Sequence, residues 1–392
     1  MRKRSLIVAV SAALLSGLAA VPAHAEDRAL PLPLLPHVPF YRTDTLAAAH
    51  RPEPLRTDGL REIDAEYVYD GRVRTVRDFL RRTSTRGYLV LRGEQILDER
   101  YFGGYAASSR FNSWSVGKSI TSAAVGAALA EGRITSLDDP VTKYLPELAH
   151  SGYAGVALRD VLRMASGTSY DETDYADPTK GSTATTIRMV AGTALTDQAR
   201  EIRRERPAGT RWNYDSMDTF VLGWVVARAT GRTLPDYVRE RIWQPAGMET
   251  PALAGSDYAG NAIAYCCYHA TVRDFARFGL LYLREGRAGD RQVLPAQWIR
   301  DSTRATEPYL RPGHLRPDKP AAVENTYGYG YQWWLGDGDR GDYAAVGILG
   351  QFVYVSPRDG LVIVKASEDL NSEATMGEAI HAFRAVADAL RG

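Results

Sequence analysis

The chain has 392 residues, 45% of them hydrophobic and 24% charged, with 48 basic side chains against 47 acidic ones. That balance excludes a nucleic-acid binder, which carries a basic excess or stripe, and the length suffices for a large domain or two subdomains. The two cysteines, Cys266 and Cys267, are adjacent, which is no disulfide framework; buried thiols are favoured over a strained vicinal disulfide. No His-Glu-x-x-His and no paired Cys-x-x-Cys occur, so neither a metal nor another cofactor is expected.

Residues 1–25 join Met1-Arg2-Lys3-Arg4, an apolar run from Leu6 to Val21 and Ala23-His24-Ala25 before Glu26. A basic head, apolar middle and small-residue end form a secretory signal peptide. The run is shorter than the ~20 apolar residues of a membrane span, and no second stretch of that length follows. The mature chain is therefore expected to be exported, to the periplasm or beyond. Residues 26–74 are a Pro-rich lead-in holding Pro31, Pro33, Pro36, Pro39, Pro52 and Pro54, unsuited to helix or central strand.

Residues 75–392 read as one domain. Gly87 to Arg92 and Ile96 to Phe102 flank a Gly93-Glu94 turn as a hairpin. A helix is predicted from Ser115 to Glu131, stopped by Gly132. It opens with Ser115-Val116-Gly117-Lys118, where Ser115 carries the chain's only Ser-x-x-Lys pattern. Side chains three apart share a helix face, so the lysine amine can take the serine proton and make a nucleophile. The competing reading makes Ser115 an ordinary N-cap and Lys118 a solvated first-turn residue, although a lysine there opposes the helix dipole.

Further helices are expected over Val141 to Leu148, Leu158 to Met164, Thr219 to Thr230, Leu234 to Trp243 and Thr271 to Arg284. Tyr170-Asp171-Glu172-Thr173-Asp174-Tyr175-Ala176-Asp177-Pro178 is acidic and turn-rich, a lid or wall loop or a solvated surface loop. Pro207 and Gly209 force a turn that presents Tyr214 on a short loop just ahead of a packed helix. Aromatic residues in Gly328-Tyr329-Gly330-Tyr331-Gln332-Trp333-Trp334 are expected in the core. Strands return over Ala344 to Gly347, Phe352 to Val355 and Leu361 to Val364, and a helix from Glu373 to Leu390 closes the chain.

Ser115, Lys118 and the loop Tyr214 together resemble the active site of the serine β-lactamase and penicillin-recognising superfamily. The pattern is closest to class C β-lactamases, family VIII carboxylesterases and nylon-oligomer (6-aminohexanoate-dimer) hydrolases. The resemblance implies an α/β (α+β), β-lactamase-like fold: an antiparallel sheet from both termini flanked by helices, with a mostly helical subdomain inserted. The sheet subdomain would hold about 75–112 and 325–392, and the helical one about 113–324. Two departures stand out. The superfamily's Lys-Thr-Gly aligns with Ala345-Val346-Gly347, without the lysine, and its Tyr-x-Asn reads Tyr214-Asp215-Ser216.

The strand lysine helps hold a β-lactam carboxylate, so its loss favours small esters or linear amides over penicillins. Ser115 is expected to form an acyl-enzyme, with Lys118 neutral or sharing its proton with Tyr214, and with Tyr214 accepting the serine proton, delivering it to the leaving group and then activating the deacylating water. The oxyanion hole would be the N–H groups of Ser115 and Ile348. Substrate contacts are expected from Ser216, Ala345, Val346, Gly347, Tyr170, Asp171 and Glu172. The acidic loop, with Asp174 and Asp177, would favour substrates bearing an ammonium group, as in nylon-oligomer hydrolases. A β-lactamase or D-peptidase, or a non-catalytic penicillin-binding-like module, remain alternatives. A Ser-His-Asp hydrolase does not, because no serine sits in Gly-x-Ser-x-Gly. Oligomeric state is not legible.

Overall fold

Alternation of large apolar side chains with a period of two builds the central sheet. The computed structural model describes residues 42–52, 55–175 and 177–391; the expected signal peptide and the lead-in up to residue 41 lie outside the described residues. In chain order the strands are β1 (Arg42–Leu46), β2 (Glu66–Tyr69), β3 (Arg72–Thr75), β4 (Thr85–Arg92), β5 (Gln95–Tyr101), β6 (Phe111–Asn112), β7 (Ala252–Ser256), β8 (Tyr268–Ala270), β9 (Arg287–Ala288), β10 (Arg291–Gln292), β11 (Tyr327–Tyr329), β12 (Trp334–Gly336), β13 (Tyr343–Gly347), β14 (Gln351–Ser356) and β15 (Leu361–Ser367). Seven of them form an antiparallel sheet in the order β11-β12-β13-β14-β15-β4-β5. The C-terminal β15 pairs with the N-terminal β4, Leu361 opposite Arg92 and Lys365 opposite Tyr88, so both ends of the domain share one sheet.

Each strand feeds two cores. Leu89, Leu91, Val353, Val355, Val362 and Val364 enter one face, while Tyr88, Val90, Phe352, Tyr354, Leu361 and Ile363 enter the other. The helices Val76–Arg82 and Ser372–Ala389 cover the second face with Phe79, Leu80, Ala379, Phe383 and Val386. On the first face lie Val272–Leu283 and, beside it, Val116–Ala130. Gly279 lets the former approach closely: a Cβ there would stand 2.6 Å from Val362 and 2.9 Å from Val353.

The middle of the chain is mostly helical, but a second sheet in the order β1-β7-β8-β6 accompanies the helices, where the sequence points to a single sheet. Its strands β6 and β8 have two and three residues, too few to show a period. The chain also joins the fold before residue 75. β1 is an edge strand, and the β2–β3 hairpin is tied down where the Tyr67 hydroxyl donates to Glu378 at 2.6 Å and Arg74 pairs with the same carboxylate at 2.6 Å. No helix among the described residues is long and apolar enough to cross a membrane.

Candidate active site

The approach to Ser115 is strained. Trp114 has φ 44°, a left-handed conformation that costs a bulky residue about 1–3 kcal/mol. Asn112 Oδ1 holds it by accepting from the Trp114 N–H at 3.1 Å. The bend delivers Ser115 to the N-cap position of the helix Val116–Ala130, yet its side chain caps nothing. Instead Lys118 Nζ donates to Ser115 Oγ at 2.9 Å. The polar side of this helix is pinned by Ser119 to the Gln332 carbonyl (2.6 Å), Thr121 to Ala264 (2.7 Å) and Ser122 to Tyr331 (2.8 Å). Backbone strain and these anchors fix the pair before any ligand arrives.

Lys118 is 2% exposed. Its amine stands 4.8 Å from the Tyr214 ring centre and 5.5 Å from that of Tyr265, and it reaches the Tyr265 carbonyl at 3.4 Å. Burial lowers its pKa from 10.5 to about 8, against the opposing pull of the Glu172 and Asp215 carboxylates. A fall of that size corresponds to roughly 3 kcal/mol. At neutral pH about a tenth of the lysine is therefore the free base. Burial, followed by the charge of Glu172, pushes the Tyr214 phenol well above the usual 10, against a lesser downward pull from the Ser115 hydroxyl. The phenol stays protonated. Its ring is wedged against Trp334, Trp212 and Tyr329, with centroids 5.6, 6.1 and 6.5 Å away. The aromatic stretch 329–334 is indeed core, Tyr329 and Trp333 being fully buried.

Opposite the serine, β13 passes close enough that a Cβ on Gly347 would stand 2.8 Å from the Ser113 carbonyl oxygen and 3.0 Å from the Ser115 nitrogen. Glycine is required here by contact rather than by conformation. Ile348 follows at the mouth of the β13–β14 turn. Among the described residues no backbone carbonyl accepts from the N–H of Ser115 or of Ile348. Ala345 shares the face of Gly347 by strand alternation, so the lost strand lysine would have pointed toward the serine helix. Val346 points to the opposite core.

The remaining expected contacts are placed differently from one another. Ser216 opens the helix Ser216–Thr230 and is saturated by Glu172, whose carboxylate accepts from its N–H at 2.7 Å and its hydroxyl at 2.8 Å. Glu172 is 7% exposed and acts on Lys118 electrostatically. Tyr170 turns its hydroxyl to Thr185 at 3.0 Å, into the interior. Asp171 faces Lys180 at 3.1 Å and accepts from Thr173, and Asp177 accepts from Thr179, so both are bound up within their own loop. Tyr265 has no signal in the sequence as a site residue; only the fold brings its carbonyl to Lys118. Beside it, Cys266 and Cys267 are joined by a disulfide, where the sequence favours free thiols. Cys267 adopts φ 74°, in the left-handed region. Gly117 packs on this pair, a Cβ there lying 3.2 Å from the Cys266 Cα. No group of side chains suited to a metal ion occurs among the described residues.

Residues 73–388 match the β-lactamase family model. The chain is 32% identical over 297 residues to the 6-aminohexanoate-dimer hydrolase of Paenarthrobacter ureafaciens, covering 74% of each. It is 31% identical over 192 residues to esterase EstB of Burkholderia gladioli, 46% of this chain and 47% of that one. A 6-aminohexanoate-dimer hydrolase-like protein of Bacillus anthracis shares the fold with a TM-score of 0.76 at 24% identity, over 88% of this chain and 91% of its own. With its fold, its family match and these hydrolase relatives, the chain belongs to the β-lactamase family and is a serine hydrolase.

Proposed function

We propose that the protein hydrolyses small esters or linear amides through an acyl-enzyme on Ser115. The observation that carries this reading is the buried Lys118 amine, 2.9 Å from the Ser115 hydroxyl. In acylation, Ser115 Oγ bonds to the substrate carbonyl carbon while its proton passes to neutral Lys118. The Tyr214 hydroxyl gives its proton to the leaving alcohol or amine, and Lys118 returns a proton to Tyr214, so the charge balances. Because the phenol is held above its ordinary pKa, Lys118 takes the serine proton and Tyr214 relays it, where the sequence reading has Tyr214 accept that proton and activate the water. The N–H groups of Ser115 and Ile348 receive the oxyanion. A water then repeats the sequence at the acyl carbonyl, with Lys118 as its base.

Substrate class follows from Ala345. Without a strand lysine, a carboxylate next to the scissile bond loses a charge-assisted contact of about 1.5–3 kcal/mol, roughly 10- to 100-fold in affinity. The names of the Paenarthrobacter and Burkholderia relatives, a 6-aminohexanoate-dimer hydrolase and an esterase, support the same preference. Export after cleavage before Glu26 belongs to this reading, and a disulfide at Cys266–Cys267 suits an oxidising compartment. The test is a panel of aryl esters, linear ω-amino amides, D-peptides and β-lactams, with mass spectrometry of the trapped acyl-enzyme. Aryl-ester or amide turnover with the acyl group on Ser115 is expected. Equal or faster turnover of nitrocefin, or label on another residue, overturns the assignment.

A further inference from the structure

A second buried lysine lies behind the oxyanion hole. Lys365 on β15 is 1% exposed and forms no ion pair within contact distance among the described residues. Its ammonium lies over the rings of Phe79 and Phe352, 5.4 and 5.9 Å from their centres. An amine in such surroundings is unfavourable unless its hydrogen bonds are made, and all those made point one way. Nζ donates to Ser367 Oγ at 2.7 Å and to the Gly350 carbonyl at 3.2 Å. Ser367 in turn lies 2.7 Å from the Leu349 carbonyl and 2.9 Å from that of Gly350.

Both carbonyls belong to the turn that leaves β13, the turn whose first residue is Ile348. Its path is strained at Leu349, with φ 61°, followed by Gly350 at 80°, so it needs external restraint to hold one shape. The restraint closes tightly, because a Cβ on Gly350 would stand 2.5 Å from Ser367 Oγ and 2.9 Å from Lys365 Nζ. Gln351 and Ser372 complete it: Gln351 Nε2 donates to the Ser367 carbonyl at 2.7 Å, and the Leu349 N–H donates to Ser372 Oγ at 2.9 Å. Gly347 on the other side is pressed against the Ser115 nitrogen.

We propose that Lys365, acting through Ser367, is a positioning residue for the oxyanion hole: it fastens the carbonyls of the 349–350 peptides so that the Ile348 N–H stays aimed at the carbonyl oxygen of a substrate on Ser115. The proposal rests on the acyl-enzyme reading above. Lys365 touches no substrate; it fixes the geometry of a donor that acts only when charge develops, so its loss falls on kcat and spares KM.

The experiment compares wild type, Lys365→Met and Ser367→Ala by hydrogen exchange of peptides covering 345–352, by kcat and KM for p-nitrophenyl butyrate, and by thermal unfolding. Methionine keeps the length and removes the donor. Faster exchange confined to the turn is expected, with kcat lower by roughly 10- to 100-fold in Lys365→Met and KM within about twofold. Ser367→Ala is expected to do the same to a lesser degree, and it decides the matter if the methionine variant does not fold. Unchanged exchange at the turn, or a loss of protection spread over the whole sheet with kcat falling alongside, overturns the proposal. Should wild type show no ester turnover, the functional reading fails, while hydrogen exchange still judges whether Lys365 holds the turn.

Discussion

Neutralising Glu172 while keeping its shape, Glu172→Gln, tests the electrostatics of the nucleophile. Burial sets the Lys118 amine at about 8, and Glu172 is the first of two carboxylates that hold it from falling further. Removing that negative charge disfavours the ammonium, so the pKa moves down; an opposite charge close to a buried group is worth about one unit or more. In wild type the free-base fraction, and with it kcat/KM, rises about tenfold per pH unit below 8, some 50-fold between pH 6 and pH 8. In the variant the inflection is expected near 7, so that the ratio of variant to wild type grows about tenfold on going from pH 9 to pH 6. The amide accepts from the Ser216 N–H and donates to the Ser216 hydroxyl, so the pairing is kept while the charge is lost. The assay is kcat/KM for an aryl ester between pH 5.5 and 9.5. An inflection that stays at 8 or moves up refutes the assignment of Lys118 as the titrating base.

Gly347→Ala is expected to lower kcat by about 10²–10³, because the new methyl meets the Ser113 carbonyl and the Ser115 N–H; steady-state kinetics within tenfold of wild type would count against the oxyanion site. Asp218 is buried beside Asp215, and burial, then the charge of Asp215, raises its pKa well above 3.8. An acid with a raised folded pKa holds its proton longer when folded, so stability declines as pH climbs from about 4 toward that folded value. Asp218→Asn is therefore expected to melt at a higher temperature than wild type at pH 8 and to show a flatter dependence between pH 5 and 8; a steeper one contradicts this. The bond between Cys266 and Cys267 makes the intact protein two hydrogens lighter than its dithiol form, so equal masses before and after reduction would show it absent.

Much of the site was legible because its logic is local. Ser115 and Lys118 meet through helix spacing alone, and the Pro207–Gly209 turn announces Tyr214. The helix over Val272–Leu283 shows its period plainly in the sequence, and the β14–β15 hairpin shows as two β-branched apolar runs around a Pro/Gly turn. What was not legible is held by contacts distant in sequence. Tyr265 reaches Lys118 across 147 positions, and Glu172 meets Ser216 across 44, so a pair expected to touch substrate instead satisfies itself. The acidic loop reads in the sequence as a cation site; the fold adds contacts between neighbours, Asp171 with Thr173 and Lys180 and Asp177 with Thr179. The second sheet is not legible in the sequence because two- and three-residue strands, and an edge strand facing solvent at four of its five positions, carry no pattern.

The central claim is that the free amine of Lys118 activates Ser115, and single-turnover acylation tests it most directly. Lys118→Met is mixed with an aryl ester in a rapid-quench experiment and the acyl-enzyme at Ser115 is followed by mass spectrometry. The account expects acylation at least about 10²- to 10⁴-fold slower than in wild type, as for loss of a positioned base, with a melting temperature no lower once the buried amine is gone. Acylation of Ser115 at the wild-type rate in that variant would contradict it.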